Sequence, residues 1–319
     1  MSPARTPGPR VPPAGAPGSL PEASPPPAAP PHDPRAARDR WVLALVYAVL
    51  SVAAVVTLIP FAYLIFSSFK TEGSFSSGPF WPVGGGGPFD VDWSGFTLDN
   101  YAKLFGEANV FRAIVNSFFY ASVSAVLGTL GAAMGGYALA KHRFVGRGVI
   151  DSVVLLALVI PGALLIAPGY QLLYQLGLLD TYAGLILPGV APAFGVYLFR
   201  QAMITSLPDE MIEAARIDGC GEIRIFFIMA LPMVRPMIGA FLLLTFLGAW
   251  NNFIAPQIIL ASPEKFPLSV FIAQLKGVYG TDYGLLTAGT LVAILPILVL
   301  FLLLQKEFIS GLTSGAVKG

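Results

Sequence analysis

The chain has 319 residues, 55% of them hydrophobic and only 12% charged, with a mean hydropathy of +0.72. A soluble domain holds roughly 45–50% apolar and about 25% charged residues, so this composition excludes a single water-soluble core and points to a bilayer. The net charge of +1 comes without a basic run interleaved with aromatics, which argues against a nucleic-acid partner, and Cys220 as the sole cysteine excludes an internal disulfide.

Residues 1–40 carry thirteen of the 28 prolines, set among Ala, Gly and Ser. Such a segment buries too little surface to offset its ordering entropy, so a disordered, cytoplasmic Pro/Ala-rich tail is expected. A signal peptide places its apolar stretch soon after a short basic start. Here the first apolar stretch begins at Trp41, so an uncleaved anchor is expected.

Bilayer spans need about 20 largely apolar residues. Stretches at about 41–66, 111–139, 149–168, 182–200, 237–260 and 285–304 qualify. The expected fold is therefore an all-α integral membrane protein with six transmembrane helices. Residues 41–110 hold the first helix and an extracytoplasmic loop, and 111–305 hold a core of five helices. Residues 306–319 form a short cytoplasmic tail. The Gly84-Gly85-Gly86-Gly87 run contains no phosphate-loop spacing and reads as a flexible loop tip. In the second span, Gly131 and Gly135 form a small-x-x-x-small pair that lets helices approach closely. Pro161, Pro188, Pro256 and Pro296 fall in or near spans, where neighbouring helices satisfy the carbonyls they release. Pro188 and Pro256 are also candidate mobile bends.

Lys and Arg divide unequally between alternating sides, fourteen against four with Arg112 at a boundary. Positive charge marks the cytoplasmic side, so both termini are expected there, in a multi-pass plasma-membrane protein.

The spans lack acidic side chains at depth, Asp151 lying at an edge. Carriers driven by protons or sodium keep ion-binding groups there, which weakens that reading. Gly135 to Lys141 misses the second glycine of a phosphate loop, so if the chain pumps, the energy comes from another chain. His32 and His142 have no metal-ligand spacing, and no Ser/His/Asp arrangement is present, so neither a metal site nor an enzyme is expected. The neutral polar groups at depth are Asn116, Ser117, Asn251 and Asn252, with Tyr170 and Gln171 after the third span. Each reads first as an interhelical hydrogen-bonding group worth about 1 kcal/mol. Trp250-Asn251-Asn252 has a second reading, because an aromatic face beside amides suits a sugar. Asn116, Tyr170, Trp250, Asn251 and Asn252 are thus the candidate substrate path.

The segment 206–236 reads SLPDEMIEAARIDGCGEIRIFFIMALPMVRP and is too long for a simple connector. Ser206 or Leu207 is expected to cap a helix, with Pro208 in its first turn and Asp209 and Glu210 at its positive end. Gly219 supplies a stop. A second helix from about Gly221 carries Ile223, Phe226, Phe227 and Ala230 on one face and ends at Pro232 and Pro236. Over the whole loop Asp209, Glu210, Glu213, Asp218 and Glu222 outnumber Arg216, Arg224 and Arg235, which disfavours an anionic lipid surface and favours a protein groove, with Glu213 available to bond an arginine.

Glu213-Ala214-Ala215, then Asp218-Gly219, then Leu231-Pro232 resembles the EAA loop of importer-type ABC permeases, with Met229 where that pattern has isoleucine. Asn100-Tyr101, Asn116-Ser117, Tyr137-Ala138-Leu139-Ala140, Trp250-Asn251-Asn252-Phe253 and the ending from Gly311 resemble carbohydrate-uptake permeases of the maltose type, the second subunit in particular. The resemblance implies a translocation path shared with a second, different permease, two ATPase subunits docked on the loop, and an extracytoplasmic solute-binding protein. It implies membrane lipid around the chain, no cofactor on the chain itself, and ATP and Mg in the ATPase partners. The cargo is then a sugar. An importer of glycerol-phosphate compounds, amino acids or peptides is the nearest alternative, and a secondary carrier a more distant one.

Overall fold

The computed structural model describes residues 34–87, 89–276 and 281–316, with side chains between residues 40 and 303. Most of the expected tail, residues 1–33, lies outside the described residues. The chain divides after Val56 into two units. In the first, helix α1 (Pro34–Ser68) starts ahead of the expected position 41. Its side chains from Trp41 to Val56 are exposed and strongly apolar, a surface suited to lipid.

The second unit opens with the last turns of α1 and an irregular connection. Lys70 is buried there, its Nζ donating to the carbonyls of Gly78 at 2.6 Å and Pro79 at 3.2 Å. Burial pulls its ammonium pKa down. The glycine run lies at a loop tip that is tied back on itself: Gly84 N–H donates to the Asp90 carbonyl, and Gly86 N–H to its carboxylate. In α2 (Asp99–Gly106), Asn100 Nδ2 donates to the Ser68 and Lys70 carbonyls at 2.9 Å, fastening the connection to α1's end.

Next, α3 (Val110–Lys141) is unbroken and apolar over 32 residues. α4 (Arg147–Val159) stops just before Pro161, where the missing backbone donor breaks the ladder. The chain then bends by 105° into a 3-10 turn and α5 (Ile166–Gln175), so the straight span expected at 149–168 is broken. α6 (Tyr182–Ile186), a 3-10 turn through Pro188 and α7 (Ala193–Ser206) make one 25-residue span that runs past the expected end at 200. The following loop holds α8 (Asp209–Ile217), α9 (Glu222–Ile225), a π turn (Phe226–Ala230) and α10 (Leu231–Met233). α11 (Arg235–Trp250) breaks at Asn251 and resumes as α12 (Ile254–Ile259). α13 (Leu268–Gln274) precedes α14 (Tyr283–Ala316), which continues as helix from residue 306 to Ala316, where a tail was expected.

Among the described residues the fold is all-α, with only isolated bridges such as Val83 to Val91. Four helices among the described residues are long and apolar enough to cross a membrane, or up to six if each bent pair is one span.

Helix α3 packs along α7 and α11. Lipid offers no hydrophobic drive for helices to associate, so close van der Waals fit must do it. The glycines of α3 supply that fit. A Cβ on Gly136 would lie 2.6 Å from the Arg200 amide nitrogen, and one on Gly135 would press on Val196 at 3.2 Å. Gly195 of α7 answers from the other side, against Ala132 Cβ at 2.7 Å and Phe241. Towards the loop, Tyr137, Phe199, Met203 and Phe241 form a core that also receives the loop's apolar residues.

Candidate functional site

The loop after α7 is a hairpin of two helical limbs. Pro208, rather than Ser206 or Leu207, occupies the N-cap of α8, its φ of −61° leading the chain in. Asp209 and Glu210 follow at the positive end of the helix. Ile212 and Ala215 turn inward into the core that holds Phe199, Met203 and Leu207. Glu213, Ala214 and Asp218 stay exposed. At the stop, Gly219 takes φ +79°, its N–H donates to the Arg216 carbonyl, and Cys220 N–H donates to the Ala215 carbonyl. That pair of bonds with a left-handed glycine is a stable helix end. It presents Ile217, 87% exposed, and beyond the turn Ile223, 77% exposed.

The second limb differs from its expected form. Pro232 does not end it: Pro232 sits in the first turn of α10, and the limb ends at Val234 with an 85° bend into α11. Proline has no N–H to offer the preceding turn, and its ring crowds the carbonyl four residues back. The π turn before it, with Leu231 N–H bonded to the Phe226 carbonyl, adds the residue that relieves this crowding. Gly221, Ile223, Phe227 and Ile228 line a shallow apolar depression on the outer face.

Charged pairs fasten the hairpin. Lys141 Nζ donates to Asp209 Oδ1 at 2.6 Å, and Arg216 Nε to Glu222 Oε1 at 2.6 Å. The other Glu222 oxygen accepts from Tyr137 OH at 3.3 Å and lies 3.4 Å from His142 Nε2. The Lys141 hydrogen bond holds the Asp209 carboxyl below the usual range, and the Glu222 hydrogen bond raises the Arg216 guanidinium. Behind them, Arg200 meets Asp151 at 3.0 Å. Sequence reasoning missed Glu222 and His142 as partners. The usable signal was Arg216 and Glu222 on either side of a glycine turn. No cluster of His, Cys, Asp or Glu among the described residues is arranged to hold a metal.

Of the candidate path residues, Trp250 and Asn252 meet the stretch of α3 that carries Asn116, through Phe118 and Tyr120. Trp250 is 4% exposed, stacked on Phe246 at 5.9 Å and edge-on to Phe118 at 4.8 Å, and its Nε1–H donates to the Ala293 carbonyl. Its ring faces are covered by its own neighbours. Asn116 donates to the carbonyls of Glu264 and Phe266, and Ser117 accepts from Leu268 N–H, so both anchor the stretch before α13. Asn252 accepts from Ala255 N–H at the start of α12. Asn251 is exposed and donates only within its own helix, to the Leu247 carbonyl, while Tyr170 is 43% exposed on α5.

Residues 126–306 match the family described as "Binding-protein-dependent transport system inner membrane component". The chain is 38% identical over 280 residues to the arabinooligosaccharides transport system permease protein AraQ of Halalkalibacterium halodurans, covering 88% of this chain and 96% of that relative. It is 32% identical to the lactose transport system permease protein LacG of Rhizobium radiobacter, over 85% of this chain and 95% of the relative. Its fold is similar to a chain in the crystal structure of a bacterial ABC transporter involved in import of the acidic polysaccharide alginate. The TM-score is 0.73 at 20% identity, covering 88% of this chain and all of the other.

Proposed function

Because this chain belongs to the family of binding-protein-dependent transport system inner membrane components, we propose that it is the permease subunit of an ATP-driven importer of di- or oligosaccharides. It is a transport subunit and not an enzyme. It forms the translocation path with a second, different permease. Two ATPase subunits dock from the cytoplasm, carrying ATP and Mg, and a solute-binding protein delivers cargo from outside. Both termini lie in the cytoplasm, the side that the excess of Lys and Arg marks.

The observation that carries this reading is the hairpin at Gly219. Its inner face is buried, its outer tip offers Ile217 and Ile223, and Glu213 stands exposed beside them. An apolar tip flanked by an unburied carboxylate is what a protein socket with an arginine would take. Asn251 and Tyr170 are exposed polar groups available to the path. Relatives named for arabinooligosaccharides and lactose support a sugar cargo.

The test is co-expression with the ATPase subunits and the second permease. The ATPases are expected to co-purify, and proteoliposomes with the loaded binding protein are expected to take up sugar only with ATP. Uptake by the isolated chain without ATP would establish a secondary carrier instead.

A further inference from the structure

Helix α8 is tied to the C-terminal end of α3 at both of its own ends. At its start, Asp209 takes the Lys141 ammonium at 2.6 Å, and that lysine side chain is only 5% exposed. At its finish, Arg216 holds one oxygen of Glu222, whose other oxygen meets Tyr137 OH and His142 Nε2. Tyr137 and Lys141 belong to the last turns of α3, and His142 is its C-cap. Glu222 is the first residue of α9, so one carboxylate joins the ends of three helices.

Between the two ties, Ile212 and Ala215 press into the core that contains Tyr137. From Asp209 to Arg216 the helix rises about 10 Å. One tie would leave α8 able to swivel about its apolar contact. Two ties on either side of that contact fix its tilt as well as its position. Exposed ion pairs contribute little to stability individually, so the use of this pattern lies in geometry.

We infer that Lys141–Asp209 and the Arg216–Glu222–Tyr137–His142 group are positioning residues that make α8 and the adjoining end of α3 one rigid lever. A push on α8 then arrives as movement of α3, and the glycine contacts of α3 with α7 pass it on. This rests on the proposed docking of ATPase subunits on α8.

The test uses spin labels at Met134 on α3 and Met211 on α8, both exposed, in a Cys220→Ala background. Pulsed electron resonance reads their separation in the complete importer and in the chain without ATPases. One narrow distribution is expected, unchanged between the nucleotide-free and ATP–vanadate-trapped importer. Lys141→Met with Glu222→Gln is expected to broaden it. Lys141→Asp alone should also broaden it, and adding Asp209→Lys should narrow it again. A separation that shifts on trapping, or a distribution equally narrow in the Lys141→Met/Glu222→Gln chain, overturns the inference. Failure of ATPases to co-purify with the unsubstituted chain refutes the docking role instead, while the ATPase-free measurement still decides whether the ties hold.

Discussion

Asp180 and Lys265 join two connections far apart in sequence, the lysine Nζ lying 2.8 Å from Oδ2 and 2.7 Å from the backbone carbonyl of the same aspartate. The carboxylate also accepts the Ala261 and Ser262 amides, each at 3.0 Å. Asp180 adopts φ +55°, a conformation aspartate tolerates better than most residues. Asp180→Ala should therefore lose both the acceptors and the backbone fit, whereas Asp180→Asn keeps part of each. Hydrogen exchange read by mass spectrometry should show the fastest exchange at 261–262 in the alanine variant and an intermediate rate in the asparagine one. Equal rates in all three chains would remove this clamp from the account.

The same clamp has a defined pH response. The Lys265 hydrogen bond, then those from Ser262 and Ala261, hold the Asp180 carboxyl well below its ordinary value of about 4. A depressed native pKa means the tie contributes fully above about pH 4 and is lost as pH falls through the lowered value. Protection at 261–262, corrected for intrinsic exchange, should stay flat from pH 7 to about pH 5 and fall only in stronger acid. A fall centred near neutrality would point to a different group.

The burial of Trp250 predicts a stability effect for its substitution. Its covered ring and its bond to Ala293 make Trp250→Ala a cavity-forming change, expected to cost about 3–5 kcal/mol. Trp250→Phe keeps most of the packing with Phe246 and loses one hydrogen bond, worth about 1 kcal/mol. Thermal unfolding in detergent ranks them. Asn251→Ala should leave the midpoint unchanged, since its side chain bonds only to its own helix, and any effect on uptake then reports a path role. A Trp250→Ala chain as stable as the unsubstituted one would return the indole to the path.

What the sequence made legible was what is local. Apolar runs located the spans, and Pro208 and Gly219 marked the ends of the loop helix, because a cap and a left-handed stop are written in adjacent residues. The 105° bend after α4 was not legible: Pro161 signals a break but not its angle, which depends on packing. Trp250 looked like a sugar platform because its sequence neighbours are asparagines. Its spatial neighbours, Phe118 and Ala293, come from α3 and α14, and only the fold assembles them. Glu222 was counted as loop charge for the same reason, its partners Tyr137 and His142 lying on another helix. The glycine contacts of α3 were foreseen as packing, but not the helix they would meet.

Those contacts yield a steric prediction. A Cβ at Gly136 meets backbone of Arg200 and the Phe199 side chain, and backbone cannot rotate aside. Gly136→Ala should destabilise α3 against α7 by about 1–3 kcal/mol, and Gly136→Leu by more. Gly239, with open space around its Cβ position, is the control, and Gly239→Ala should be tolerated. Yield of monodisperse protein and its thermal midpoint would rank the three. Equal tolerance at 136 and 239 would mean that the two helices do not touch as described.

The tip of the hairpin separates docking from folding. Ile217 and Ile223 are 87% and 77% exposed, so replacing them with glutamate removes almost no internal contact. Surface changes of this kind shift stability by less than about 0.5 kcal/mol. Ile217→Glu and Ile223→Glu should therefore leave the thermal midpoint intact while lowering recovery of ATPase subunits with the complex. Gly219→Ala acts differently: the left-handed conformation costs a β-carbon about 1–2 kcal/mol, and the turn must distort or α8 must fray. It should lower both the local protection of α8 and ATPase recovery, and Gly219→Asn should do so less, because asparagine accepts that conformation. If both glutamate variants recover ATPase as well as the unsubstituted chain, the apolar tip is not the docking surface. If Gly219→Ala alone fails, the socket reads the shape of the turn and not its isoleucines.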